Sequence, residues 1–195
     1  MNRICKFAIG TLAASAVSAQ AAFPWGEIAD EINLAAPGVF TSIDVAYSGM
    51  SFSGNETLTV NLYNLDGPAT PGSFGFNTPG SLLFSGTVPL GAATGVATIS
   101  DISGTLNLAG TVAVGLVFGG IDFPFELAGP VLYDPPTPPG SSLSDYWVKD
   151  YLGDPDWALY LLDGVPANFG ISLAGLYDNL SSPIVDANGN PLFLS

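Results

Sequence analysis

Side chains able to do chemistry gather between Leu132 and Leu173, and most of them are carboxylates or aromatic rings. The stretch reads LYDPPTPPGSSLSDYWVKDYLGDPDWALYLLDGVPANFGISL and carries Asp134, Asp145, Asp150, Asp154, Asp156 and Asp163. Closely spaced loop oxygens are what calcium takes, so Asp150, Asp154 and Asp156 form one candidate Ca2+ cluster. Asp186, Asn188 and Asn190 form a second, at positions i, i+2 and i+4. Neither has the closing bidentate glutamate of an EF-hand. Asp and Asn beside Gly and Pro also build turns through side-chain bonds to backbone amides, so turn formation stands as the alternative at both places. Tyr146, Trp147, Tyr151, Trp157 and Tyr160 are the candidate ligand contacts. Such rings stack on sugars, and they equally pack the core or rim of a sheet protein.

Other chemistries are excluded by what is missing. There is no histidine, and the single cysteine, Cys5, lies in the leader described below. Ser-His-Asp and Cys-His arrangements therefore cannot form, nor can zinc sites rich in His and Cys. A Ser-Lys pair would have to use Lys149, which sits beside Asp150. Two carboxylates across a sugar would make a glycosidase, but seventeen acids place some pair at that separation by chance. No catalytic residue is assigned, and the chain is not expected to be an enzyme.

These residues must be held by something, and the sequence points to short strands. Residues 1–21 read as a secretory signal peptide: Arg3 and Lys6, an apolar run from Phe7 to Val17, then Ala19-Gln20-Ala21. The run is too short to span a bilayer, so no membrane insertion is expected after its removal. Residues 22–195 then form one domain in which Lys149 is the only basic residue against seventeen acids. Nucleic acid is a poor partner for such a chain, because phosphate binding needs clustered Lys and Arg. Twenty-four glycines and sixteen prolines punctuate brief apolar runs. Period-two alternation marks Ile43–Tyr47, Leu58–Leu62, Ser81–Val88, Val96–Ser100, Leu106–Phe118, Ala158–Leu162 and Phe169–Leu173. Phe123, Phe125 and Leu127 continue that pattern after Gly119-Gly120. Asp186-Ala187-Asn188-Gly189-Asn190 between apolar runs is a hairpin signal. The expected fold is an all-β, two-sheet antiparallel β-sandwich, jelly-roll-like, of nine to eleven strands. Residues 22–38 are expected as an N-terminal arm with a short helix, since Trp25, Ile28, Ala29, Ile32 and Ala36 fall at helical spacing. Residues 132–173 are expected as a long decorated loop returning to the sheet.

The succession NLYNLDGPATPG, SLLFSG, VLYDPPTPPGSSLSDYWV, WALYLLDG and VPANFGISL resembles the secreted domains of bacterial PEP-CTERM proteins over about residues 58–173. That resemblance implies an exported β-sandwich linked to surface or extracellular polymer, and it carries no catalytic signature. Proteins of that family end in a Pro-Glu-Pro motif, a hydrophobic helix and a basic tail. This sequence reads Pro191-Leu192-Phe193-Leu194-Ser195 there, so processing by a sorting protease is not carried over. The expected role is a secreted or cell-surface structural or adhesive component, self-associating through sheet edges or the N-terminal arm. Natural edge strands are commonly guarded by lysine, which is almost absent here. The alternative is a carbohydrate-binding module for polysaccharide, dependent on calcium. Expressed with its leader in a bacterial host, the exported protein should begin at Ala22 by N-terminal mass spectrometry; an exported chain that still begins at Met1 would remove the signal-peptide reading.

Overall fold

The computed structural model describes residues 26–69, 77–100, 102, 106–134, 139–149, 156–161, 168–181 and 183–194. Residues 1–21, read above as a signal peptide, lie outside them. Strands follow one another as β1 (Glu27–Asn33), β2 (Gly38–Val39), β3 (Ile43–Met50), β4 (Thr57–Asn64), β5 (Leu82–Pro89), β6 (Thr94–Ile99), β7 (Asn107–Leu108) and β8 (Thr111–Gly119). The second half supplies β9 (Leu127–Pro130), β10 (Leu132–Tyr133), β11 (Ser141–Ser142), β12 (Asp145–Lys149), β13 (Ala158–Leu161), β14 (Asn168–Phe169), β15 (Ile171–Leu173) and β16 (Tyr177–Asp178). Six of these sixteen are two-residue pairings, so the longer strands fall within the number the sequence suggests. No helix occurs among the described residues, and none is long and apolar enough to cross a membrane.

A seven-stranded sheet runs in the order β13-β12-β1-β8-β4-β5, with β11 also on β1. A five-stranded sheet runs β16-β15-β3-β6, with β9 sharing the β15 side of β3. Every pairing is antiparallel. Alternation places one face of each sheet inward. Ile28, Ile32, Leu58, Val60, Leu62, Val112, Val114, Leu116 and Val148 of the first sheet meet Ile43, Val45, Tyr47, Ala97, Ile171 and Leu173 of the second in one buried cluster. This is the two-layer core of a β-sandwich.

Two expectations need correction. The N-terminal segment is not a helix: Glu27–Asn33 is a strand between β8 and β12. Ile28 and Ile32 are four apart, which shares a face in a strand as well as in a helix. Ala29, on the opposite face, is buried too because that face is covered, and Ala36 is exposed. The same segment is therefore an inner strand rather than an arm laid on the domain. The Phe123–Leu127 alternation is likewise a strand only at its end. Phe123 and Phe125 are exposed in a turn before β9 begins at Leu127.

Among its described residues, the decorated stretch 132–173 holds more strand than loop. Asp145–Lys149 enters the first sheet beside β1, and Ala158–Leu161 pairs with it as the outermost strand. At its other end three strands meet. Val131 donates its N–H to Ala46 O at 3.0 Å, Ala46 to Gly170 O at 2.7 Å, and Gly170 to Val131 O at 3.0 Å. A Cβ on Gly170 would overlap the Tyr133 ring and press on Ala46 Cβ. Gly170→Ala should therefore destabilise the fold by about 1–3 kcal/mol, read from urea denaturation; an unchanged midpoint would show that the junction has room to spare.

Candidate functional site

The stretch of interest centres on β1, β12 and β13, where the side chains divide by strand alternation. Tyr146 lies opposite Tyr160 across the β12–β13 pair, and both look into the sandwich. Their rings stack at 5.8 Å, and Tyr146 also meets Phe169 at 6.2 Å. Trp147, one residue on, points to the other face of the sheet and is fully buried. Trp157 is half-buried. It takes the edge of Tyr63 at 5.9 Å, and Lys149 Nζ lies 5.6 Å from its ring centre, a cation–π contact. The sequence-predicted rings thus fall in two groups on opposite faces, and Tyr151 lies outside the described residues.

The candidate metal ligands are likewise separated. Asp150 and Asp154 lie outside the described residues, and Asp156 is exposed just before β13. Asp186 Oδ1 accepts the backbone amides of Asn188 at 2.8 Å and Asn190 at 2.9 Å, while Oδ2 accepts Asn190 Nδ2 at 3.1 Å. The Asn190 amide and side chain hold its carboxyl below the usual range. This is a turn stapled by its own first residue, with Gly189 at φ +85°. Among the described residues no group of three or more His, Cys, Asp or Glu converges in a way that could hold a metal.

Sequence reasoning passed over the most unusual feature, a set of carboxyls inside the sheet. Glu27, Asp30, Glu31 and Asp145 are all buried. Asp30 shares the inward face with Ile28 and Ile32, at the point where the partner of β1 changes from β12 to β11. Its Oδ1 accepts Ser142 Oγ at 2.7 Å, and its Oδ2 accepts the Phe169 amide at 2.9 Å. One carboxyl therefore joins β1, β11 and β14. Burial outweighs those hydrogen bonds and raises its pKa well above the ordinary value.

Glu27, Ala29 and Glu31 occupy the opposite face. Glu27 reaches across β8 because Gly115 has no side chain; a Cβ there would overlap its carboxylate. It accepts Asn61 Nδ2 at 2.8 Å and the Tyr63 hydroxyl at 3.0 Å. Burial and the Glu27 charge push the Tyr63 hydroxyl well up. Glu31 stands two residues beyond the Ala29–Trp147 pair, beside Asp145. Among the described residues neither of its oxygens receives an N–H or O–H donor. A proton on Glu31 resolves this, since a protonated carboxyl donates to its neighbour. Burial, then the bond to Asp145 and the charge of Asp30, push Glu31 up to about 11. Trp147 Nε1 on the same face is also buried, with no acceptor among the described residues. The available signal was three acids within the seven-residue strand EIADEIN, whose other members are mostly apolar.

No family model, curated protein or solved structure matches this chain.

The buried acids fix a pH dependence. Unfolded Asp and Glu ionise near pH 3.9 and 4.3, whereas folded Asp30 and Glu31 keep their protons far above that. Their contribution to stability is fully present below about pH 4 and is lost as pH rises towards the folded values. Asp66 and Asp186, lowered by hydrogen bonds from Ser81 and Asn190, act oppositely but only in the acid range. Between pH 5 and 9 urea stability should therefore fall with rising pH. Glu31→Gln should flatten that slope by as much as ~1.4 kcal/mol per pH unit; an identical slope in the variant would mean that Glu31 is ionised in the fold.

Proposed function

We propose that the chain is an exported, non-enzymatic structural or adhesive component of the cell surface or extracellular matrix, one that associates with copies of itself. The observation that carries this reading is how its acids are used. Glu27, Asp30, Glu56, Asp66 and Asp186 each accept hydrogen bonds from the fold's own amides or hydroxyls. These side chains build the sandwich rather than line a cleft. Three outer strands, β5, β6 and β13, carry no charged residue in a chain of net charge −14.

A second reading, a polysaccharide-binding module, rests on Trp157 being only half-buried just before β13, with Tyr63 and Lys149 against its ring. Calcium dependence of that reading would use Asp156 or the Asp186 turn. Sedimentation velocity of the exported protein, with and without calcium, combined with a glycan array, separates the two. The self-associating reading expects species heavier than a monomer and no retained glycan. A strict monomer whose glycan binding is lost in Trp157→Ala, with the fold intact, would replace it by the second reading. Turnover of a glycan or ester by purified protein would sink both.

A further inference from the structure

Resting on the self-associating reading, we propose the face through which it occurs: the free edge of β5 pairs antiparallel with β5 of a second copy, about a two-fold axis at Gly86. β5 ends the seven-stranded sheet, and no described residue pairs with its outer edge. Which of its backbone groups face outward follows from the ladder. Leu90 N–H donates to Glu56 O at 2.8 Å, one step beyond the Thr57–Pro89 pair. Hydrogen-bonded and non-bonded pairs alternate along an antiparallel ladder. Val88, Gly86 and Phe84 therefore bond to β4, whereas Pro89, Thr87 and Ser85 turn their backbone away from it. Two details agree with that phase. Proline is tolerated where its missing N–H would face solvent. Thr59 and Thr87, a non-bonded pair in which side chains stand closer, approach Oγ1 to Oγ1 at 2.8 Å.

The outward groups limit the register to pairings among Ser85, Thr87 and their alternates, and the proposed one is centred on Gly86, where the absence of a side chain lets two backbones approach. Antiparallel strands exchange both bonds between residues whose backbones face each other, so in this register Ser85 pairs with Thr87 of the second copy and Thr87 with its Ser85. Gly86 then lies opposite Gly86, a non-bonded pair where the backbones come closest. The self-complementary contact closes as a dimer rather than growing as a fibre.

Charge selects the occupant. A second copy carries the same net −14, so it can approach only where acids are absent. From Gly67 to Ser100 the sequence has no charged residue, and this stretch includes both β5 and β6, which contact each other along one side of the sandwich. Described acids on neighbouring segments are turned to other work. Asp44 lies on β3, one strand in, accepting Thr98 Oγ1 at 2.6 Å. Glu56 is buried and accepts Gly54 N–H, and Asp66 accepts Ser81 at the far end of the hairpin. Leu82 on β5 and Val96 on β6 are both 55% exposed.

The test uses side chains that project outward at Ser85 and Thr87, both exposed. In this register residue 85 faces residue 87 of the partner. Ser85→Lys with Thr87→Lys sets like charges opposite one another, whereas Ser85→Lys with Thr87→Glu sets opposite charges there. Sedimentation velocity of the full exported chain should show a dimer for the unchanged protein and for the Lys/Glu variant. The Lys/Lys variant should dimerise about tenfold more weakly or worse. Ser85→Pro, which deletes one outward amide, should also be monomeric with an unchanged circular dichroism spectrum. The two charge variants differ at one exposed position, so a folding defect would not separate them. Equal association of Lys/Lys and Lys/Glu, or assembly that survives Ser85→Pro, would overturn the β5 pairing while leaving self-association through another face. A monomer at every concentration of the unchanged protein would remove both.

Discussion

One buried carboxyl holds the architecture together. Asp30 sits where β1 loses its neighbour on one side, because the segment that begins as β11 swings away and returns as β12. A gap in a ladder leaves amides and carbonyls unpaired inside the protein, and each such group costs about 1–3 kcal/mol. At that gap Asp30 supplies two acceptors, one for the Ser142 hydroxyl and one for the Phe169 amide of β14, which would otherwise be stranded. Because β14, which contains Phe169, runs directly into β15 of the second sheet, the same side chain couples the two layers that the apolar core presses together. An apolar residue there would pack as well, but it would strand the Phe169 N–H.

Carboxyls on both faces of β1 explain why a chain with so many acids leaves its central strand so acidic. Inward, Asp30 is satisfied by donors. Outward, Glu27 is satisfied by Asn61 and Tyr63 across a glycine, whereas Glu31, beside Asp145, is held as the neutral acid chiefly by burial. The last arrangement differs in kind, because it exists only while Glu31 keeps its proton. β1 and β12 are thus held in part by hydrogen bonds and in part by protonation, and the site is structural in the sense that removing any partner leaves a buried group unmatched.

Much of this fold was legible in the sequence, and what was not has definite physical causes. Alternation located β4, β5 and β6 because each has one face turned to the core and one more exposed, as in Leu58, Val60 and Leu62 against Thr57, Thr59 and Asn61, whereas β3 and β8, buried on both faces, were legible because small Ala, Gly and Ser alternate there with larger apolar side chains. It failed for β1 and β12, whose two faces are both buried, so polar and apolar residues stop reporting on orientation. Ile28 and Ile32 then satisfied a helical pattern by coincidence of spacing. Asp145, Tyr146, Trp147, Val148 and Lys149 suggested a decorated loop for the same reason. The aromatic set was legible as residues but not as a surface, since Tyr146 and Trp147 are consecutive in a strand and must diverge. The Asn-Gly turn near the C-terminus was the opposite case: a purely local device, complete within Asp186–Asn190, which needs no tertiary knowledge to read.

The distribution of charge joins these observations. Proteins usually protect open sheet edges with a lysine that another strand would have to bury, and this chain has almost none to place there. Its negative charge acts at longer range instead, keeping copies apart over roughly a Debye length of ~10 Å at moderate salt. Such repulsion is weakest along the side from Gly67 to Ser100, where no acid occurs. Repulsion everywhere else and neutrality along one edge favour a single mode of approach over general stickiness. The backbone then limits the register, because an edge with outward amides only at alternate positions, ending in Pro89, offers few ways to be paired. Burying Asp30 and Glu31 in β1 serves the same division, since carboxyls that keep their protons inside the sandwich contribute no repulsion outside it.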